Sequence, residues 1–173
     1  TLGKEITPIN EVSQEDVVII PAFGTTLKIQ SQLEQLGVDV LKYNTTCPFV
    51  EKVWKRSAKL GAENYTVVIH GKPDHEETRA TFSHAASDGH AMIVADMDEA
   101  LKLAEIIKGQ GTNVDEFWTL FEGRTTVKGE EKYYDFVIEN IILELHVLNH
   151  WPWDEYNLYS KYLKNIITNF TSY

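Results

Sequence analysis

The sequence predicts an α/β protein: a doubly wound, mostly parallel four-stranded sheet with helices on both faces, followed by a helical C-terminal tail. Two observations lead there. Four short apolar runs alternate with four stretches of helical spacing between residues 16 and 108, which is the order that builds a parallel sheet from strand–helix–strand units. The chain of 173 residues, 43% hydrophobic and 24% charged, is also long and ordinary enough in composition to bury one real core.

The elements follow in order. Residues 1–15 are polar and read as a lead-in. Asp16-Val17-Val18-Ile19-Ile20-Pro21-Ala22 is a continuous apolar run of the kind a buried parallel strand shows. Phe23-Gly24-Thr25-Thr26 is a turn, and Thr25 or Thr26 can cap a helix running to about Leu36, which Gly37 ends. Val38 to Tyr43 is a second strand. Pro48 then opens a helix, where its missing N–H costs nothing. Phe49, Val50, Val53, Trp54 and Leu60 give that helix its apolar stripe, and Gly61 stops it. Tyr65 to His70 is rich in β-branched residues and reads as a third strand. Residues 75–84 form a short helix, Ala91 to Ala95 a fourth strand, and Asp98 to Lys108 a fourth helix.

The character of the chain changes near residue 123. All ten alanines lie at or before Ala104, and six of the eight tyrosines lie after Lys132. Helices are expected over about 131–148 and 154–168, separated by Asn149-His150-Trp151-Pro152-Trp153. The expected division is therefore an α/β domain over 1–123 and a helical tail over 124–173. That tail reads either as a C-terminal helical hairpin or as sequence of different origin.

The net charge of −10 argues against nucleic acid as a partner, because binding it needs a basic face. No run of 18 apolar residues or signal-peptide pattern is present, so no membrane role is expected. A single cysteine cannot make an internal disulfide, which fits a reducing compartment such as the cytoplasm.

Chemistry concentrates in two blocks. Asn44-Thr45-Thr46-Cys47-Pro48-Phe49 carries the lone thiol at a strand-to-helix junction. His70-Gly71-Lys72-Pro73-Asp74-His75-Glu76-Glu77-Thr78 follows the next strand. In a parallel sheet both blocks fall at strand carboxyl ends, where such folds place their sites. A lone cysteine is commonly an inert small hydrophobe. At a helix N-terminus, however, backbone N–H groups and the helix dipole favour its thiolate, as a nucleophile or a metal ligand. His70 and His75 are five apart, a poor match to the i, i+4 spacing of a helical zinc pair. A strand-end histidine is often structural, and a histidine beside a carboxylate can also relay protons. The Gly24–Thr26 and Thr45–Thr46 turns offer amides and hydroxyls suited to phosphate.

Asn44 to Trp54, Tyr65 to Thr78, Pro21-Ala22-Phe23-Gly24-Thr25-Thr26 and Arg79-Ala80-Thr81 together resemble one family. It is 4-hydroxy-3-methylbut-2-enyl diphosphate reductase, the LytB-type iron–sulfur enzyme of the non-mevalonate isoprenoid route. The similarity covers about residues 12 to 108, and Phe23 resembles the plant and cyanobacterial branch. The resemblance implies three α/β domains around a [4Fe-4S] cluster held by one cysteine from each. It also implies an allylic diphosphate substrate that loses its hydroxyl, and ferredoxin or flavodoxin as electron donor. By the same resemblance Cys47 is a cluster ligand, His75 a diphosphate contact, Glu77 the proton donor, and Thr46 flanks the cluster and substrate. The family's first and third cysteine motifs have no counterpart here. The chain is thus expected to be the middle domain of such a reductase, truncated in front and derailed or fused behind, and inactive alone. The competing expectation is a non-catalytic α/β module that binds a partner through its helical tail. A third is an unrelated enzyme using Cys47 as a nucleophile with a histidine base.

Overall fold

The computed structural model describes residues 8–107, 114–127 and 141–144. After a 3-10 turn at Ile9–Glu11 come α1 (Leu27–Gln35), α2 (Pro48–Ala62), β1 (Thr66–His70), α3 (Glu76–Asp88), β2 (His90–Val94), α4 (Met97–Ile107), α5 (Val114–Leu120) and β3 (Ile141–Glu144).

The sheet has three strands in the order β2-β1-β3, all parallel. Val68 of β1 lies beside Met92 of β2 and Leu143 of β3. β1–α3–β2 is one strand–helix–strand unit, and both its strands are mostly apolar and buried along almost their whole length because both sheet faces are covered. Side chains alternate between those faces. Val67, Ile69, Ala91 and Ile93 pack on one side with Leu60 of α2 and Ala85 of α3. Val68, Met92 and Val94 pack on the other with Leu103 and Ile106 of α4 and Phe117 and Phe121 from α5 and its end. Burying each of the large side chains stabilises the fold by about 1.5–3 kcal/mol. α2 and α3 approach so closely that a Cβ on Gly61 would meet the Asp88 carbonyl at 2.7 Å. At the outer edge of β2, the Ile93 N–H donates to Arg124 O (2.8 Å) and the Thr126 N–H to Ala91 O (2.9 Å), so residues 124–126 run antiparallel against that strand.

The α/β class and the helices on both faces match the sequence reading. The four-stranded sheet does not. The predicted strands at 16–22 and 38–43 meet only through one parallel bridge, Ile20 to Asn44. The reason lies in Asp39. Its carboxylate accepts the N–H groups of Leu41 (3.1 Å) and Lys42 (3.2 Å), and this local turn takes donors that a strand would need. Of the two apolar runs, Ile20, Val38 and Val40 are buried with Leu33 of α1, whereas Val17, Ile19 and Leu41 are exposed. The helix expected over 131–148 is also corrected: residues 141–144 within it are strand. Its remaining residues, apart from these, and the helix expected over 154–168 lie outside the described residues. α5 was not anticipated.

Candidate functional site

Cys47 is the N-cap residue of α2, with extended backbone (φ −60°, ψ 131°) and Pro48 in the first turn. Its thiol makes no capping hydrogen bond and the residue is half-buried. Its own N–H donates to Ala22 O at 2.7 Å. Just before it, Thr46 is buried at 9% exposure. The Thr46 hydroxyl (2.6 Å) and N–H (3.0 Å) both donate to Asn44 Oδ1, while the Thr45 hydroxyl donates to Ile20 O at 2.6 Å. The two local bonds to Asn44 and the longer-range one to Ile20 fix the turn that presents Cys47, and the local pair explains the Asn-x-Thr spacing: a side-chain amide oxygen two residues before a backbone donor makes an Asx turn.

His75 caps α3 in the same position but in a different way. Its Nδ1 accepts the Glu77 N–H at 3.3 Å, so the neutral ring carries its proton on Nε2. His75 is exposed and Glu77 half-buried. Glu76 pairs with Arg79 at 2.9 Å. The Phe23 ring meets the His75 ring edge-on, with centroids 6.4 Å apart. The turn after residue 21 therefore touches both candidate helix starts, Cys47 through Ala22 and His75 through Phe23. Its Gly24 has φ +75°, and a Cβ there would overlap Trp54 Cη2.

His70 ends β1 and is buried, at 7% exposure. Burial pushes its pKa down, against the opposing pull of Asp96 and Glu99. Glu99 forms a two-pronged ion pair with Arg124 (2.9 and 3.0 Å) and accepts the Ala95 N–H at 2.7 Å.

Sequence reasoning placed Asn44 in the turn before Cys47 and Trp54 in the apolar stripe of its helix but gave neither a part in holding this region, and it did not single out His84. The Asn44 role was readable from Asn-x-Thr before a helix. Trp54 and His84 carry no local motif and emerge only when α2 and α3 pack together.

The residues present do not make an iron–sulfur site by themselves. Among the described residues no group of three or more His, Cys, Asp or Glu side chains is placed to hold a metal ion, and the sequence holds one cysteine. A cubane normally takes several thiolates, so Cys47 can supply one ligand of such a set. Among the described residues no helix is long and apolar enough to cross a membrane.

Comparison with known proteins agrees with this architecture. The chain is 45% identical over 100 residues to a 4-hydroxy-3-methylbut-2-enyl diphosphate reductase of Prochlorococcus marinus (strain MIT 9313), covering 58% of this chain and 24% of that protein. It is 41% identical over 115 residues to one from a Synechococcus strain, covering 66% and 27%. This chain thus spans about a quarter of the length of these curated relatives. In fold it is similar to the E-1-hydroxy-2-methyl-but-2-enyl-4-diphosphate reductase of Plasmodium falciparum, with TM-score 0.61 and 17% identity over 93% of this chain and 39% of that one. A second reductase structure, the terminal enzyme of the non-mevalonate pathway, gives TM-score 0.53 and 22% identity over 83% and 49%. The family model described as LytB protein matches residues 3–135, beyond the change of character near residue 123, and the chain belongs to the LytB family.

Proposed function

We propose that this chain is a portion of a 4-hydroxy-3-methylbut-2-enyl diphosphate reductase, the part that corresponds to its middle domain. In this reading residues 1–123 are that domain and 124–173 are a tail, of which residues 124–126 lie against β2 and Ile141–Glu144 against β1, at opposite edges of the sheet. The reaction is the reductive dehydroxylation of an allylic diphosphate to isopentenyl and dimethylallyl diphosphate, with ferredoxin or flavodoxin as donor, in the cytoplasm or a plastid stroma. The observation that supports it most is the turn at Ala22-Phe23, in contact with both Cys47 and His75. In the whole enzyme Cys47 is one of three thiolate ligands of a [4Fe-4S] cluster. The other two thiolates lie on parts of the reductase that this chain lacks, so the chain alone does not turn over substrate.

The roles of the remaining residues follow from their places. His75 uses Nδ1 for its own helix, which leaves Nε2–H as the donor to a diphosphate oxygen. The positive end of the α3 helix dipole adds to that attraction. Glu77, fixed on the first turn of the same helix, is the carboxyl that delivers a proton to the leaving hydroxyl. Thr46, held by Asn44, sets the depth at which the thiol stands.

The test is a chimera. The matching 100-residue segment of the Prochlorococcus marinus reductase is replaced by that of this chain and assayed anaerobically with a reduced donor. The chimera is expected to turn over. Cys47→Ser removes its activity and cluster absorption, His75→Ala raises KM, and Glu77→Gln lowers kcat with KM kept. A chimera that carries its cluster and binds substrate yet keeps full kcat in Glu77→Gln would overturn the proton-donor role. A brown, active protein from the unaltered chain after reconstitution with iron and sulfide would overturn the fragment reading.

A further inference from the structure

The rings of Trp54, on α2, and His84, on α3, lie face to face, 3.7 Å apart and within 9° of parallel. The Trp54 indole N–H donates to Thr81 Oγ1 of α3 at 3.3 Å, so the indole is pinned at its edge as well as its face. The benzo part of the indole stands against Gly24, where any Cβ would collide with Cη2 and come within 2.6 Å of Cζ2. His84 is hydrogen-bonded to the Thr25 backbone, and burial pushes its pKa down against the opposing pull of that bond and of Asp88. One residue before it, Ser83 Oγ accepts the Leu27 N–H at 3.0 Å, and Thr26 Oγ1 accepts the Ile29 N–H at 3.3 Å to cap α1.

These contacts all bear on one loop. Residues 22–27 are gripped at Gly24 by an indole, at Thr25 by an imidazole and at Leu27 by a serine hydroxyl. The same loop gives Ala22 O to Cys47 and Phe23 to His75. We infer that Trp54 and His84 are positioning residues, whose stack holds the Phe23–Thr26 loop and through it sets Cys47 and His75 relative to one another. The inference deepens the reductase reading and rests on it for its functional meaning, but its structural content stands without iron, sulfide or diphosphate. The physical argument is that the stacked rings bury a broad contact area while the hydrogen bond on each ring fixes its position in the plane, and a glycine at positive φ lets the backbone come flush against the indole.

The experiment uses the full chain. The rate at which iodoacetamide alkylates Cys47 at fixed pH reports thiol access, and the His75 ring resonances report its surroundings. Trp54→Leu and His84→Ala are expected to speed alkylation several-fold and to shift the His75 signals. Trp54→Phe, which keeps a flat ring against His84, is expected to return both close to the parent values. Leu103→Ala, in the core on the opposite sheet face, is expected to lower stability and leave both unchanged. Unchanged alkylation and His75 signals in Trp54→Leu and His84→Ala would overturn the inference, as would equal changes in Leu103→Ala. If Trp54→Leu does not fold, His84→Phe decides: it keeps a ring and loses the Thr25 hydrogen bond, and unchanged readouts there overturn the inference too. A failed chimera assay with these thiol results intact would count against the reductase reading alone.

Discussion

The segment 8–47 and the unit β1–α3–β2 are made of similar residues and behave differently. Both contain apolar β-branched runs. In the second, each strand residue has a neighbour strand and a helix on its face, and Val67, Val68, Ile69, Met92 and Val94 are almost fully buried. In the first, one bridge joins the two runs, and Val17 and Ile19 remain 68% and 64% exposed. The difference teaches that a strand in this protein is made by its partners rather than by its composition. It also separates two tasks: the sheet unit carries the stability, and the loosely paired front carries the turns that face the candidate site.

The largest expected effect tests the first half of that contrast. Ile69→Ala, in the sheet core, is expected to cost about 2–5 kcal/mol, read from the urea midpoint. A loss under about 1 kcal/mol would mean the sheet unit is not the stable centre. Next comes the tie between the sheet and residues 121–127. Arg124→Met strips the guanidinium from the partly buried Glu99 carboxylate and is expected to cost about 1.5–3 kcal/mol. Glu99→Gln in the same background should recover part of it, because the unpaired charge is then gone.

Acidity gives a smaller effect with a definite sign. Burial lowers the folded-state pKa of His70 while Asp96 and Glu99 pull it the other way. The unfolded chain then takes up this proton more readily. The stability linked to His70 is complete above the ordinary histidine pKa of about 6.5 and declines as pH falls through it. The stability gap between the parent and His70→Asn is therefore expected to narrow from pH 7.5 to pH 5. A gap that stays constant or widens would contradict the burial argument. The smallest effect belongs to the front segment: Val17→Ser should change stability by no more than about 0.5 kcal/mol, and a cost like that of Ile69→Ala would erase the contrast between the two regions.

Much of this was legible in the sequence, because helices announce themselves locally. Thr26, Pro48 and the His75-Glu76-Glu77 run mark three helix starts that the structure reproduces within a residue or two. β1 and β2 were legible since their apolar runs are short and flanked by glycine or turn residues. The failures have one cause, partner dependence. Val17–Ile20 and Val38–Tyr43 have strand composition but no sheet to join, and Asp39 supplies a competing turn. Ile141-Ile142-Leu143-Glu144 is too short for its spacing to tell helix from strand, and its pairing with β1 decides. At the candidate site, Cys47 and His75 were expected near helix N-termini, and both are N-caps. The Trp54–His84 stack was invisible, since its rings come from separate helices thirty residues apart in the chain.

The antiparallel seam between β2 and residues 124–126 has a consequence for how this protein behaves in company. An uncovered strand reading Ala91-Met92-Ile93-Val94 would offer its backbone as a template to other molecules, the ordinary seed of aggregation. Here Arg124 and Thr126 occupy the Ile93 N–H and the Ala91 carbonyl, and the Thr126 hydroxyl accepts the Ala91 N–H. The Arg124–Glu99 pair is thus a latch on a sticky edge. When it opens, the first sign should be self-association at protein concentrations and temperatures where the fold itself is still intact.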